Sequence, residues 1–205
     1  MNLYRRVLFP RLLDLALSGE TVGHYRQELL AQVRGAVLEI GFGTGLNLPH
    51  YPKHIQTLTV VDPNPGMGSL ARRRMALSSI AVDWQVADAQ ELPFPNQSFD
   101  SVVSTWTLCS IPDLARALQE IRRVLRVGGG LFFLEHGLSA DPKIQVWQHR
   151  LNPIQKVLGD GCNLNRDMAR QIQTAGFRFE QLERFYMPNQ PKFIGYTYQG
   201  VAVPI

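Results

Sequence analysis

The stretch AVLEIGFGTG, residues 36–45, decides the fold. Ala36-Val37-Leu38-Glu39-Ile40 is a short, mostly apolar run of the kind a strand buried on both faces requires, and Gly41, Gly43 and Gly45 follow it directly. Glycines at that junction permit tight bends and let a ligand approach the backbone, and a helix starting there would offer unpaired N–H groups. A purely structural turn has the same composition, so the flanking sequence has to separate the two readings.

Outward from this stretch, strand patterns alternate with helical ones. Gln56 to Val61 reads as a second strand closed by Asp62-Pro63, residues 65–77 as a helix, Ile80 to Val86 as a third strand and Phe99 to Thr105 as a fourth. Leu114, Leu118, Ile121 and Leu125 share one stripe of a helix that Gly128-Gly129-Gly130 is expected to stop, and Leu131 to Leu134 forms a fifth strand. Repeated βα order predicts an open, mostly parallel α/β sheet with helices on both faces. Beyond Gly137 come a helix over 141–158 with Pro153 inside, a polar turn at 159–163, and a helix over 165–175 with Asn165 as its N-cap. Phe177 to Phe185 and Phe193 to Val203 read as a closing hairpin, hence an antiparallel edge. Ahead of residue 36, a helix over 3–17 carries Leu3, Val7, Leu8, Leu12, Leu13 and Leu15 among Arg5, Arg6 and Arg11. Pro10 kinks or divides it, and a second helix over 22–32 turns Leu29, Leu30 and Val33 inward. One domain over 1–205 is expected, with 1–34 as a helical lid and 138–165 as an insertion near the substrate.

Composition excludes several classes. At 205 residues and 45% hydrophobic, the chain can bury a core that needs no disulfide or metal staple. Cys109 and Cys162 make no disulfide framework, and no Cys/His spacing points to zinc, so no metal is expected. The net charge of +4 has its surplus in the second half of the chain, while the clusters Arg72–Arg74 and Arg122-Arg123 lie in helical patterns and read as solvated faces. No nucleic-acid motif accompanies them, so no nucleic-acid partner is expected. Arg11, Asp14, Glu39 and Asp62 break the longest apolar runs, which argues against a spanning helix. MNLYRRVLFPRLLDLALSG has no small-x-small cleavage site, so a mature cytoplasmic start is expected, with weak peripheral attraction to anionic lipid as a secondary possibility.

In an open sheet, Asp62 at the end of the second strand lies beside the glycine loop, where a carboxylate can accept both hydroxyls of a ribose; its alternative use is as a turn-former before Pro63. Asp88, before Ala89, has the same edge position and can face an adenine. A dinucleotide fingerprint would need glycine where the chain has Leu46, and no G-K-[ST] is present. Glu39 would repel a phosphate and welcome a cation. A nucleoside without pyrophosphate fits better, and S-adenosylmethionine combines that ribose and adenine with an amino-acid tail and a sulfonium.

The segments VLEIGFGTG at 37–45, VVDPNPGM at 60–67, DAQELPFPNQSFDSVVS at 88–104 and LQEIRRVLRVGGGLFFLEH at 118–136 carry a family likeness. The sequence resembles the class I S-adenosylmethionine-dependent methyltransferases, in the small-molecule branch that includes ubiquinone-pathway and phospholipid methyltransferases. The resemblance implies a Rossmann-like seven-stranded sheet with its last strand antiparallel. It places Gly41, Gly43 and Gly45 at the methionine portion, Asp62 on the ribose, Asp88 and Ala89 near adenine, Thr105 along the cofactor, and Glu39 orienting the loop or the cofactor amine. Glu135-His136, Asp160-Gly161-Cys162-Asn163-Leu164 and the ending FIGYTYQG further resemble the subgroup containing membrane-associated alkyl thiol methyltransferases. That subgroup usually has an unbroken apolar N-terminal anchor, which this stretch does not match.

For the acceptor, His136 beyond the fifth strand and Asp160 in the polar turn are the candidate catalytic groups, each equally readable as structural. Arg166 can hold Asp160 or an anionic substrate; Cys162, Asn163, Trp106 and Trp147 are candidate substrate contacts, with Phe185 and Tyr186 as further aromatic wall. Trp147, Leu151 and Ile154 would desolvate an acceptor that the 160–163 turn positions. The expected activity is methyl transfer to a small, partly apolar acceptor, with a thiol favoured. A phospholipid or other amine N-methyltransferase and a noncatalytic cofactor-binding protein are the alternatives.

Overall fold

The computed structural model describes residues 4–64 and 68–205, with the side chains of Arg5 and Arg6 left aside. Leu3, those two side chains and the start of the helix expected over 65–77 therefore lie outside the described residues. A turn of π-helix over Tyr4–Leu8 passes into α1, Phe9–Leu17, and α2 spans Glu20–Leu30. Pro10 marks the expected division, sitting in the first turn of α1 where its missing N–H leaves nothing unpaired. Then follow β1 Val37–Ile40, β2 Thr57–Val61, α3 Gly68–Leu77, β3 Ala81–Gln85, β4 Phe99–Thr105, α4 Leu114–Val124 and β5 Leu125–His136. The chain closes with α5 Pro142–Leu158, α6 Met168–Thr174, β6 Phe177–Tyr186, the short α7 Lys192–Gly195 and β7 Tyr196–Pro204.

All seven strands form one sheet in the order β3-β2-β1-β4-β5-β7-β6. The pairs from β3 through β5 are parallel, and β7 inserts antiparallel to both β5 and β6. Neighbouring side chains on a strand feed opposite cores. Val102 and Phe133 pack with Leu118, Ile121 and Ile172 on the α4/α6 face, while Val103 and Phe132 pack with Leu29, Leu30 and Leu58 on the other. Burial on both faces explains why β1 is apolar except at Glu39. The strand order reverses between β1 and β4, the place where open α/β sheets leave a crevice at their C-terminal edge.

Four local expectations are corrected. No α-helix follows the glycine loop; a single 3-10 turn, Leu48–His50, stands there, and Pro52 soon after it cannot extend a helix. Gly128–Gly130 do not stop α4, which ends at Val124 and runs straight into β5; the glycines lie inside that strand. There a register shift opposite Phe99/Ser101 and the contact a Cβ on Gly129 would make with the Asp100 carbonyl oxygen, at 2.9 Å, account for them. α6 starts at Met168 with Asp167 as its cap, accepting from the Arg170 N–H at 3.1 Å, while the Asn165 amide faces His149 Nδ1 at 3.0 Å. The run from Phe193 becomes strand only at Tyr196, after α7. Among the described residues no helix is long and apolar enough to cross a membrane.

Candidate functional site

The crevice holds a cavity of about 690 Å³, a size ordinary for small-molecule sites. Its floor is the turn leaving β1. Gly41 has φ +72°, and a Cβ there would sit 2.0 Å from Thr107 Oγ1, so the turn nests against the exit of β4 only as glycine. Gly43 donates its N–H to Asp62 Oδ2 at 2.7 Å, and Asn64 N–H reaches Oδ1 at 2.8 Å. Burial pushes the Asp62 carboxyl above its ordinary range, against these two bonds. With one N–H on each oxygen, the carboxylate keeps acceptor capacity for two hydroxyls on a cavity-lining face. Asp88 also lines the cavity, accepts from the Gln90 backbone and side chain, and precedes buried Ala89.

Beneath the glycine turn lies a buried polar network. Glu39 accepts from Asn47 Nδ2 at 3.0 Å and from the Tyr51 hydroxyl at 2.7 Å. Burial drives its pKa up to about 7, opposed by the Tyr51 bond and the nearby Arg26 charge. Arg26, on α2 and only 3% exposed, donates to Asn47 Oδ1 at 2.6 Å and to Thr105 Oγ1 at 3.0 Å, and lies 4.8 Å from the centre of the Trp106 ring. Burial lowers its pKa to about 10, with Glu39 pulling the other way. Its Nε has no hydrogen-bond partner among the described residues, and the side chain lines the cavity. The sequence reading missed Arg26. The available signal was its place with Val22, Leu29 and Leu30 on the buried stripe of α2, where a charge needs a reason.

Also lining the cavity are Trp106 and Cys109 from the loop after β4, His136 from the end of β5, and Asp160 and Cys162 from the turn after α5; Trp106 lies against Arg26 and the Asp160 charge acts on Asp62, so this group adjoins the residues of the glycine turn. Glu135 organises the loop after β4. Its buried carboxylate accepts from the N–H groups of Thr107, Leu108 and Cys109 and from the Ser104 hydroxyl, fixing the chain as it leaves β4. Cys162 Sγ lies 3.7 Å from His136 Nδ1, and the Trp106 and His136 rings meet edge to face at 6.1 Å. The hydrogen bond between the two thiols pushes Cys109 well up and holds Cys162 below the ordinary thiol range. Gly161 packs so tightly that a Cβ would meet the Ser110 carbonyl oxygen at 2.9 Å.

Other candidates stand elsewhere. Arg166 spends its guanidinium on the carbonyl oxygens of Leu108 and Pro112, and its charge braces that loop. Asn163 ties its own turn to Cys109 O through both its N–H and its amide, outside the cavity lining. Trp147 is 53% exposed on α5, with Arg150 over its ring, so neither it nor exposed Ile154 desolvates the cavity. Phe185 stacks on Tyr25 at 4.5 Å and the Tyr186 hydroxyl bonds Ser139, which leaves Trp106 as the cavity's one aromatic among the four expected. The apolar wall comes instead from Phe9, Leu13 and Leu17 of α1, from Ile111, and from Pro191 and Ile194 near α7. α1 is latched there. Asp14 accepts from the Thr44 hydroxyl and from Arg74, which also bonds Thr44 O, so Arg74 belongs to the latch rather than to a solvated face.

A family model described as a methyltransferase domain matches residues 38–133. The thiol S-methyltransferase TMT1B of Homo sapiens is 35% identical over 95% of this chain and 85% of its own length. A phosphatidylethanolamine N-methyltransferase of Cereibacter sphaeroides is 32% identical over 73% of this chain and 72% of its own. Among solved structures, an S-adenosylmethionine-dependent methyltransferase of Thermotoga maritima, described as a possible histamine N-methyltransferase, superposes with a TM-score of 0.67 at 19% identity. It covers 98% of this chain and 97% of that one.

Proposed function

This chain belongs to the class I S-adenosylmethionine-dependent methyltransferases, in their thiol methyltransferase-like branch, and from that premise we propose that its acceptor is a small, partly apolar thiol. One observation carries the reading: the same cavity is lined by an apolar wall from α1, Ile111 and Ile194 and by the sulfur, imidazole and indole of Cys109, Cys162, His136 and Trp106. An uncharged thiol suits that wall, whereas an ammonium would be desolvated along it. The likeness to thiol S-methyltransferases over nearly the whole chain supports the same choice.

The described residues fit the cofactor. Asp62 has two open acceptor positions for a ribose diol, Asp88 and Ala89 flank the adenine side, and Arg26 sets its guanidinium charge at the cavity lining, where it attracts the carboxylate of the methionine tail. Thr105 and Asn47 hold Arg26 in place, and Glu39 holds Asn47. The bound cofactor supplies a methyl group already activated on a sulfonium. What the chain adds is alignment and exclusion of water: in favourable cases, orientation alone lowers such a barrier by about 7–11 kcal/mol. His136 and Asp160 both line the cavity, and in this reading one of them receives the thiol's proton or orients its sulfur.

The test is transfer of labelled methyl to matched thiols, amines, phenols and phosphatidylethanolamine. Thiols should dominate in kcat/KM. Preference for the amine or the phospholipid, the direction of the Cereibacter relative, would overturn the thiol and leave the methyltransferase intact.

A further inference from the structure

The thiols and imidazole of this cavity form a cluster that no spacing in the sequence announces. Among the described residues, one ligand atom each from Cys109, His136 and Cys162 lies within 4.8 Å of the others, and all three side chains line the cavity. Zinc–sulfur bonds of about 2.3 Å and zinc–nitrogen bonds of about 2.0–2.1 Å at tetrahedral angles place neighbouring ligand atoms about 3.5–3.8 Å apart. Cys162 Sγ and His136 Nδ1 stand at 3.7 Å. We propose that Cys109, His136 and Cys162 bind a zinc ion whose fourth coordination position, open to the cavity, takes the sulfur of the acceptor. The fourth-ligand assignment rests on the thiol reading above.

The donor set suits the metal. Two thiolates and an imidazole are borderline-soft ligands, and three protein ligands with one open position is the pattern of catalytic rather than structural zinc. The supporting frame is built independently of any ion. Glu135 fixes the backbone N–H of Cys109, and Asn163, next to Cys162, bonds the Cys109 carbonyl oxygen through backbone and side chain. Both cysteines are buried, so the site is shielded except toward the cavity. On coordination the acceptor thiol releases its proton to solvent. Its sulfur then forms a bond to the methyl carbon, the carbon–sulfur bond of the sulfonium breaks with its electron pair going to the cofactor sulfur, and the neutral thioether leaves the metal. In this arrangement His136 is a ligand and no longer the proton acceptor named above.

Reduced full chain, stripped with a chelator, is titrated with zinc against a chromophoric competitor and in parallel with cobalt(II). About one equivalent of zinc should survive desalting, and the cobalt form should show thiolate charge-transfer absorption with the visible bands of a four-coordinate ion. Adding 2-phenylethanethiol should shift those visible bands. Cys162→Ser and His136→Ala should each weaken zinc binding more than about 100-fold, beyond the loss of an outer partner. Retained binding of S-adenosylhomocysteine certifies each variant as folded, and Cys109→Ser replaces either one that fails. Retention below about a tenth of an equivalent, or folded variants that bind zinc like the parent, overturns the site. Metal-free protein that methylates thiols at full rate overturns the zinc role and spares the thiol reading. Zinc held as expected by protein that methylates only amines defeats the thiol reading and the fourth-ligand assignment with it.

Discussion

Arg26 is a nearly water-free guanidinium in a helix stripe otherwise given to leucine and valine. Burying such a charge is costly unless it is paired, and Glu39 compensates it only through Asn47 and the field between them. Holding a ligand carboxylate explains that arrangement. Arg26→Gln should weaken S-adenosylhomocysteine binding by about 1.5–3 kcal/mol, roughly 10- to 150-fold by calorimetry; unchanged affinity in a folded variant removes Arg26 from the site. Asp62→Ala should cost a similar amount, since it removes charge-assisted ribose contacts and frees the Gly43 N–H. Glu39 adds a pH signature. Its folded pKa of about 7 lies above its ordinary value of 4.5, so between the two the folded state holds a proton that the unfolded state has released. Stability should therefore fall as pH rises from about 4.5 to 7, and Glu39→Gln should flatten that segment of a denaturation series. Asp62 was legible in the sequence because its strand, its turn and its chemistry are local. Arg26 was not, because its partners Asn47 and Thr105 come from distant segments.

At the scale of elements, α1 is the proposed lid, and the latch is what would hold it closed. Leu13 and Leu17 roof the cavity, and the hold on the glycine turn runs through Asp14, Thr44 and Arg74. Burial alone would raise the Asp14 carboxyl, but the bonds from Arg74 and Thr44 outweigh it and keep the pKa below its ordinary value. The latch is therefore complete above the ordinary carboxylate range and is lost as pH falls through the depressed folded value. Deleting residues 2–17 should reduce turnover more than cofactor affinity, and Asp14→Ala should move the same way to a smaller degree. Full turnover after deletion would exclude a lid. The βα rhythm from β1 to α4 was readable because each element carries its own periodicity. Gly128–Gly130 misled because their use, a bulge pressed against Asp100, depends on which strand β5 pairs with. The share of α7 in the acceptor wall escaped for the same reason: Ile194 lines the cavity only in the folded chain, whereas Trp147 and Ile154 of α5 suggested a wall and face outward.

For the whole molecule, one sheet edge brings together the glycine turn, the carboxylates proposed to receive a nucleoside, and the cluster of two thiols and an imidazole. α1, Ile111 and Ile194 give the same cavity an apolar lining. The first two features were legible as a motif with its spacing; the third required loops far apart in sequence to converge. If a thiol enters along that lining, each added methylene is taken from water before the methyl transfer. Its burial is worth about 0.8 kcal/mol, close to fourfold in kcat/KM. The most direct measurement is kcat/KM for linear alkanethiols from ethanethiol to octanethiol with S-adenosylmethionine as donor. The expected result is transfer to all of them, rising about fourfold per methylene until the cavity is filled and then levelling, with Leu13→Ala flattening the rise. No transfer to any thiol, or a rate indifferent to chain length in the parent protein, would contradict it.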